Sequence, residues 1–334
     1  MAKVSVAPML DWTDRHCRYF LRGFSPRTLL YTEMITAAAL QYGPRQRLLE
    51  FSPEEQPLAL QLGGSDPAQL AAAAALGAAA GYREINLNCG CPSERVQSGS
   101  FGACLMLEPT LVADCIRAMA EVCDLPVTLK LRIGVVSRRA AVPGSVQDFD
   151  EADYQRLADF VATVAAAGCQ VFIVHARKAV LEGLSPRENR EVPPLRYDVV
   201  QRLKQEFPRL AVILNGGLRT VQQVEAALGW CDGVMLGREA YHRPRLLDEL
   251  HQRLFADGWQ APDDAALIER MAGYAEQQLA RGERLAAITR HLLGLCNGRD
   301  GARHWRRMLS EGARDPAAGP QLLRDAARYL VMAV

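Results

Sequence analysis

The chain has 334 residues, 49% hydrophobic and 23% charged, with a formal net charge of +1. That balance is globular rather than disordered or fibrous, and no run of eighteen apolar residues supports a membrane span. Nine cysteines with no C-x-x-C pair argue for reduced thiols and against zinc or an iron–sulfur cluster.

The first nine residues enter a strand pattern at once, which leaves no room for a signal peptide and makes a cytoplasmic location the expectation. Short apolar runs then recur at 4–10, 28–34, 57–63, 84–88, 126–133, 171–175, 210–215 and 233–237. Helical stretches fall between them, including 67–80, 109–122, 151–167, 197–207 and 221–228. Fully apolar strands that alternate with helices are the pattern of a buried parallel sheet. Eight such units in about 240 residues predict an α/β fold, a (β/α)8 TIM barrel. An open Rossmann-like sheet is the alternative, but no G-x-G-x-x-G follows the first strand.

From residue 245 the pattern is amphipathic helices alone, at 246–255, 264–281, 284–295, 304–311 and 320–333. The expected division is a barrel over 1–244 and a small all-α domain over 245–334. Residues 281–334 carry ten arginines and five acidic residues, a net of +5, against −4 for the rest. A one-sided basic domain is an electrostatic footprint for a polyanion. A solvated bundle from an arginine-rich proteome is the competing explanation, since only four of the 39 basic residues are lysines.

Nearly every strand ends in a polar group: Asp11, Glu33, Gln61, Asn86 and Asn88, Lys130 and Arg132, His175, Asn215, and Arg238. In a barrel these ends meet at one face, where active sites lie. Gly90 and Pro92 turn the chain sharply after the fourth strand and hold Cys91 between them. A cysteine there can be a nucleophile, a metal ligand or a proton donor. Asn215-Gly216-Gly217 and Gly237-Arg238 match the recurrent phosphate site of such barrels. Gln61, Lys130 and His175 add donors suited to a flat heteroaromatic cofactor. A flavin is the natural candidate, because a cation near N1 stabilises its reduced anion. Lys130, a retained lysine inside an apolar strand, suits that point-charge role.

Several segments together resemble the tRNA-dihydrouridine synthases, and among them the bacterial A-type enzymes, nearly end to end. They are Ala7-Pro8-Met9-Leu10-Asp11-Trp12-Thr13-Asp14-Arg15, Leu30-Tyr31-Thr32-Glu33-Met34, Gln61-Leu62-Gly63-Gly64-Ser65, Asn86-Leu87-Asn88-Cys89-Gly90-Cys91-Pro92-Ser93, Ser98-Gly99-Ser100-Phe101-Gly102, and Gly183-Leu184-Ser185-Pro186-Arg187-Glu188-Asn189-Arg190. The resemblance implies an FMN-dependent, NADPH-driven reduction of uridine in the tRNA D-loop, at positions 20 and 20a. It implies FMN contacts from Pro8, Met9, Leu10, Gln61, Lys130, His175, Asn215, Gly216, Gly217, Gly237 and Arg238. It assigns Asn88 to the target nucleotide and Arg187, Arg190, Arg299 and Arg303 to the tRNA. Cys91 becomes the general acid. A thiol of reference pKa about 8.5 is mostly protonated at neutral pH and can protonate C5 after hydride reaches C6. Strand alternation sets Cys89 two residues from Cys91, and it is a competing thiol. Trp305, among arginines, is a possible stacking platform, with helix packing the expected role.

Two other functions compete. A dihydroorotate dehydrogenase-like flavin barrel acting on a small pyrimidine would leave the basic helical domain without purpose. An RNA-binding protein with secondary redox activity would not need Cys91, Lys130 and His175. No metal is expected, and a monomer is favoured. Residues 135–147 depart from the family pattern by an insertion at the active-site face; its Arg138 and Arg139 either touch RNA or belong to a flexible addition, the second being the expectation.

Overall fold

A computed structural model of the chain describes residues 2–93, 101–137 and 145–331. Residues 94–100 of the quoted motifs, and Arg138 and Arg139 of the insertion, lie outside the described residues. Eight strands form the barrel: β1 (Val4–Val6), β2 (Leu30–Tyr31), β3 (Leu58–Gly63), β4 (Glu84–Cys89), β5 (Val127–Arg132), β6 (Val171–His175), β7 (Ala211–Asn215) and β8 (Gly233–Leu236). All pair in parallel in the order β1-β8-β7-β6-β5-β4-β3-β2. A Ser5–Leu29 bridge closes the ring, with Val6 N–H donating to the Leu29 carbonyl at 2.9 Å. The expected (β/α)8 barrel is therefore present. Ile35–Thr36 adds a short strand beside β3, and Val135–Val136 pairs with Ala179–Val180 outside the ring.

Strand alternation separates two cores. Ile85, Leu87 and Cys89 of β4 join the large apolar layer between strands and helices. Glu84, Asn86 and Asn88 face the lumen instead, near a small apolar plug that includes Tyr31, Ala59, Ile173, Ile213 and Met235. The helices start where side chains satisfy free N–H groups. Asp66 accepts from the Gln69 N–H ahead of Pro67–Ala80, and Asp150 and Asp153 form a capping box for Glu151–Ala166.

The C-terminal helices are Arg245–Leu254, Asp264–Ala280, Leu285–Thr289, Ala302–Arg307 and Gln321–Val331. The helix expected over 284–295 is shorter because tertiary contacts claim its second half. Gly294 packs so closely that a Cβ there would lie 2.7 Å from the His242 carbonyl. Asn297 Nδ2 donates to that carbonyl at 2.8 Å. Beside it, Asp14 accepts from Arg290 Nη2 at 2.7 Å and from His291 Nε2 at 2.9 Å. Trp12 stacks on Tyr241 with ring centroids 4.5 Å apart. Burial alone would raise the Asp14 carboxyl, but His291 and the Cys17 N–H outweigh it and hold the group well below the usual range. The β1 loop thus clamps the helical domain to the barrel. Trp305 is fully buried, with Nε1 donating to the Leu292 carbonyl at 3.0 Å, so its role is packing.

On Arg245–Leu254, His251 bridges Ser25 and Asp257, at 3.0 Å to each. The series resembles a hydrolase triad. Ser25, however, is buried and its Oγ already accepts from the N–H groups of Arg27 and Thr28. No free lone pair remains for attack, so the three residues act as a staple.

Candidate active site at the barrel mouth

Register brings the predicted residues together. Asn88 lies opposite Lys130, Arg132 opposite His175, and His175 opposite Asn215. Parity along each strand then turns these side chains toward the lumen and its mouth. Asn86 sits one step deeper, fully buried, and belongs to the lumen rather than to the face. Glu33 is placed differently from the other strand ends. It lies in the field of Asp14, Asp11 and Arg18, and burial, then Asp14, push its carboxyl up.

The Cys91 turn is built by its neighbours. Asn88 Oδ1 accepts from the N–H groups of Gly90 at 3.1 Å and Cys91 at 3.0 Å. The Cys91 carbonyl accepts from the Ala103 N–H at 2.9 Å. Arg132, itself buried, donates Nε to the Gly90 carbonyl at 3.2 Å and Nη1 to the Asn189 carbonyl at 3.0 Å. Cys91 is left half-buried, with Sγ 3.4 Å from Ser93 Oγ. Lys130, Arg132 and Arg190 all lie within its electrostatic reach. Cys89 is separated from this site by strand parity. It is fully buried in the apolar layer, where burial pushes its thiol well up.

The mouth carries more donors than partners. Among the described residues, Lys130 Nζ and the His175 ring make no hydrogen bond or ion pair. Burial, then Arg132, pulls the Lys130 ammonium down to about 7. Burial and the same cations hold His175 well below its usual value, hence neutral. Gly216 and Gly217 take φ of +116° and +72° beyond β7. A Cβ on Gly216 would lie 2.6 Å from His175 Cδ2, and Tyr197 OH donates to the Gly216 carbonyl at 2.5 Å. Met9 lies over Gly237, while Leu10 is exposed. Arg177 lies in the electrostatic field of Arg238 and of Arg219, which is two residues beyond Gly217. Arg238 also pairs with Glu191 at 2.8 Å. Unpartnered donors, a tight glycine turn and surplus positive charge fit a ligand with a phosphate and several carbonyls, as FMN has.

A linkage effect follows. Lys130 in the folded, ligand-free chain sits below its unfolded value of about 10.4, so the unfolded state binds more protons between about pH 7 and 10. The contribution of Lys130 to stability therefore rises with pH across that window and is flat below it. An anion placed beside Nζ reverses the shift and draws a proton in. Binding of a flavin in its reduced form, anionic at N1, is expected at pH 8 to take up close to one proton, read by anaerobic calorimetry in buffers of different ionisation enthalpy. No uptake, or the same uptake in Lys130→Met, would contradict this.

The RNA candidates are less uniform. Arg190 reaches the Cys91 field, whereas Arg187 is largely exposed and near Glu191 at 3.7 Å. Arg299 is paired with Asp264, which also holds Arg245 at 2.6 Å. Arg303 is exposed with no hydrogen bond or ion pair among the described residues. Neither Arg299 nor Arg303 contacts the mouth residues among those described. Arg132 was foreseen as one of the polar strand ends but given no role, and Arg177, Arg219 and Tyr197 were not among the predicted site residues. Only Arg132 had a usable signal, two positions after Lys130 on one strand and so on the same face.

Comparisons with known proteins agree with this picture. The model of the dihydrouridine synthase (Dus) family matches residues 5–330. The chain is 53% identical over 323 residues to a tRNA-dihydrouridine(20/20a) synthase of Synechocystis, which covers 97% of this chain and 93% of that protein. It is 52% identical to the Pseudomonas syringae protein of that name over 98% and 94% of the two chains. For the Escherichia coli K12 protein the values are 51%, 98% and 91%.

Proposed function

The chain belongs to the dihydrouridine synthase family, and from that premise we propose that it reduces uridine to 5,6-dihydrouridine in the D-loop of tRNA, at positions 20 and 20a. The reading makes FMN the resident cofactor and NADPH the reductant. The observation that carries it is the convergence of Cys91, Lys130, His175 and the Gly216-Gly217 turn on one barrel mouth.

Pro8, Met9, Leu10, Gln61, Lys130, His175, Asn215, Gly216, Gly217, Gly237 and Arg238 would hold the flavin. Bound there in its reduced form, that cofactor supplies hydride for C6 of the base. The chain does the rest. Cys91 Sγ–H carries the proton that completes C5, so one hydride and one proton saturate the double bond. Lys130 sets positive potential under the developing negative charge. His175, neutral by burial, can orient a carbonyl without supplying charge. Asn88 orients the base. The target must leave its stack to enter the mouth, at a cost of a few kcal/mol that is smallest for an unpaired loop base. Arg187, Arg190, Arg299 and Arg303 are proposed to grip phosphates, which makes binding steeply salt-dependent.

The purified protein is expected to be yellow and to be bleached by NADPH. It is expected to restore dihydrouridine to positions 20 and 20a of tRNA that lacks it, as read by mass spectrometry. Colourless protein that takes up no FMN, or tRNA left unreduced, would sink the proposal. Reduction of free orotate-like pyrimidines but not tRNA would favour the small-molecule alternative.

A further inference from the structure

A single hydrogen-bond chain runs from the Cys91 turn to the floor of the barrel. Asn88 Nδ2 donates to Gln61 Oε1 at 2.9 Å, and Gln61 Nε2 donates to Asn86 Oδ1 at 2.8 Å. Asn86 Nδ2 donates to Thr128 Oγ1 at 2.8 Å, and the Thr128 hydroxyl donates to Glu84 Oε1 at 2.7 Å. Tyr31 OH donates to the same carboxylate oxygen. Four strands contribute, β2 to β5, and every member faces the lumen.

The direction of this chain is determined at both ends. A carboxylate can only accept, so two hydroxyls must point at Glu84. Thr128, having spent its proton, must accept from Asn86. That places Asn86 Oδ1 toward Gln61, and Gln61 Oε1 toward Asn88. At the far end, the N–H groups of Gly90 and Cys91 can only donate, so they too require Asn88 Oδ1. No amide can flip without setting two donors or two acceptors against each other in a buried site, where an unmade hydrogen bond is costly. Both lone pairs of Asn88 Oδ1 are consumed by the turn. What Asn88 has left for a ligand is one N–H.

We propose that Thr128 and Glu84 are positioning residues for the reaction: they lock the amide order that holds the Cys91 turn and fix Asn88 as a donor toward the base. The base must then present an acceptor there, as the carbonyl edge of uracil does and the amino group of cytosine does not. The inference rests on the proposed uridine reduction for its consequence, but the chain itself can be tested without RNA.

Thr128→Val removes both the donor and the acceptor at nearly constant volume, and Thr128→Ser keeps them. In ligand-free protein, Cys91 alkylation by iodoacetamide, resolved by peptide mapping, is expected to rise about threefold or more in Thr128→Val and to return to the wild-type rate in Thr128→Ser. At saturating FMN, the kcat for tRNA reduction should fall about tenfold in Thr128→Val and recover in Thr128→Ser. Should Thr128→Val not fold, Glu84→Met, which removes the acceptor at similar length, is read in its place, with the same sign expected. A lowered melting temperature with unchanged Cys91 alkylation would assign these residues to packing and overturn the proposal. Wild-type protein that leaves tRNA unreduced would count against the uridine reading alone, because the alkylation result stands without it.

Discussion

Cys91→Ala is expected to lower dihydrouridine formation by about 10²- to 10⁴-fold, the usual contribution of a positioned general acid, while flavin and tRNA binding persist. Binding should survive because the turn is held by backbone groups. Asn88 accepts from the N–H of residue 91 whatever its side chain, and Arg132 holds the Gly90 carbonyl. Single-turnover reduction of tRNA, with FMN absorbance and tRNA affinity measured in parallel, separates the two effects. Cys89→Ala is the paired control. Its thiol is buried in the apolar layer, so stability should fall while turnover is retained. Full turnover in Cys91→Ala, or its loss only in Cys89→Ala, would exchange the two assignments.

Gly216→Ala is expected to empty the flavin site. The residue sits at φ +116°, and its Cβ would press to 2.6 Å from His175 Cδ2 and 3.0 Å from Nε2. Backbone strain of that kind costs about 1–3 kcal/mol; the free variant relaxes the turn, and restoring it on binding costs roughly 5- to 150-fold in affinity, before the displacement of His175 is counted. The measurement is FMN affinity by fluorescence titration, with the colour of the purified protein as a first indication. Gly258→Ala is a useful companion, since Gly258 is also left-handed at φ +74° but has nothing within 4 Å of its Cβ position. It should lose some stability and keep its flavin. Wild-type FMN affinity in Gly216→Ala would remove the glycine turn from the site.

The barrel was legible because parallel strands buried on both faces must be apolar along their length, and their polar ends then stand out. The same logic located Arg132, His175 and Asn215, which register aligns, and Lys130, which it sets beside Asn88. It failed where depth along the strand decides the role. Asn86 and Asn88 share a parity and a hydrogen-bond chain, yet Asn86 is fully buried in the lumen while Asn88 also holds the Cys91 turn. Glu33 looked like part of the ring, but the irregular chain beyond Tyr31 carries it toward Asp11 and Asp14. Arg177 and Arg219 sit in loops with no period to betray them. The helical domain was foreseen as helices, but the turns over 290–297 were not, because they exist to meet Tyr241 and His242.

On the proposed function, the clamp between the β1 loop and Arg290–His291 would also work as a ruler. The loop that fastens the helical domain through Asp14 carries, a few residues earlier, the Met9 that walls the mouth over Gly237. The surface proposed to grip the RNA backbone and the thiol proposed to finish the reaction are thus set at a fixed span. On that footing the enzyme would count nucleotides by reach: the uridine reduced is the one whose distance along the RNA backbone matches that span.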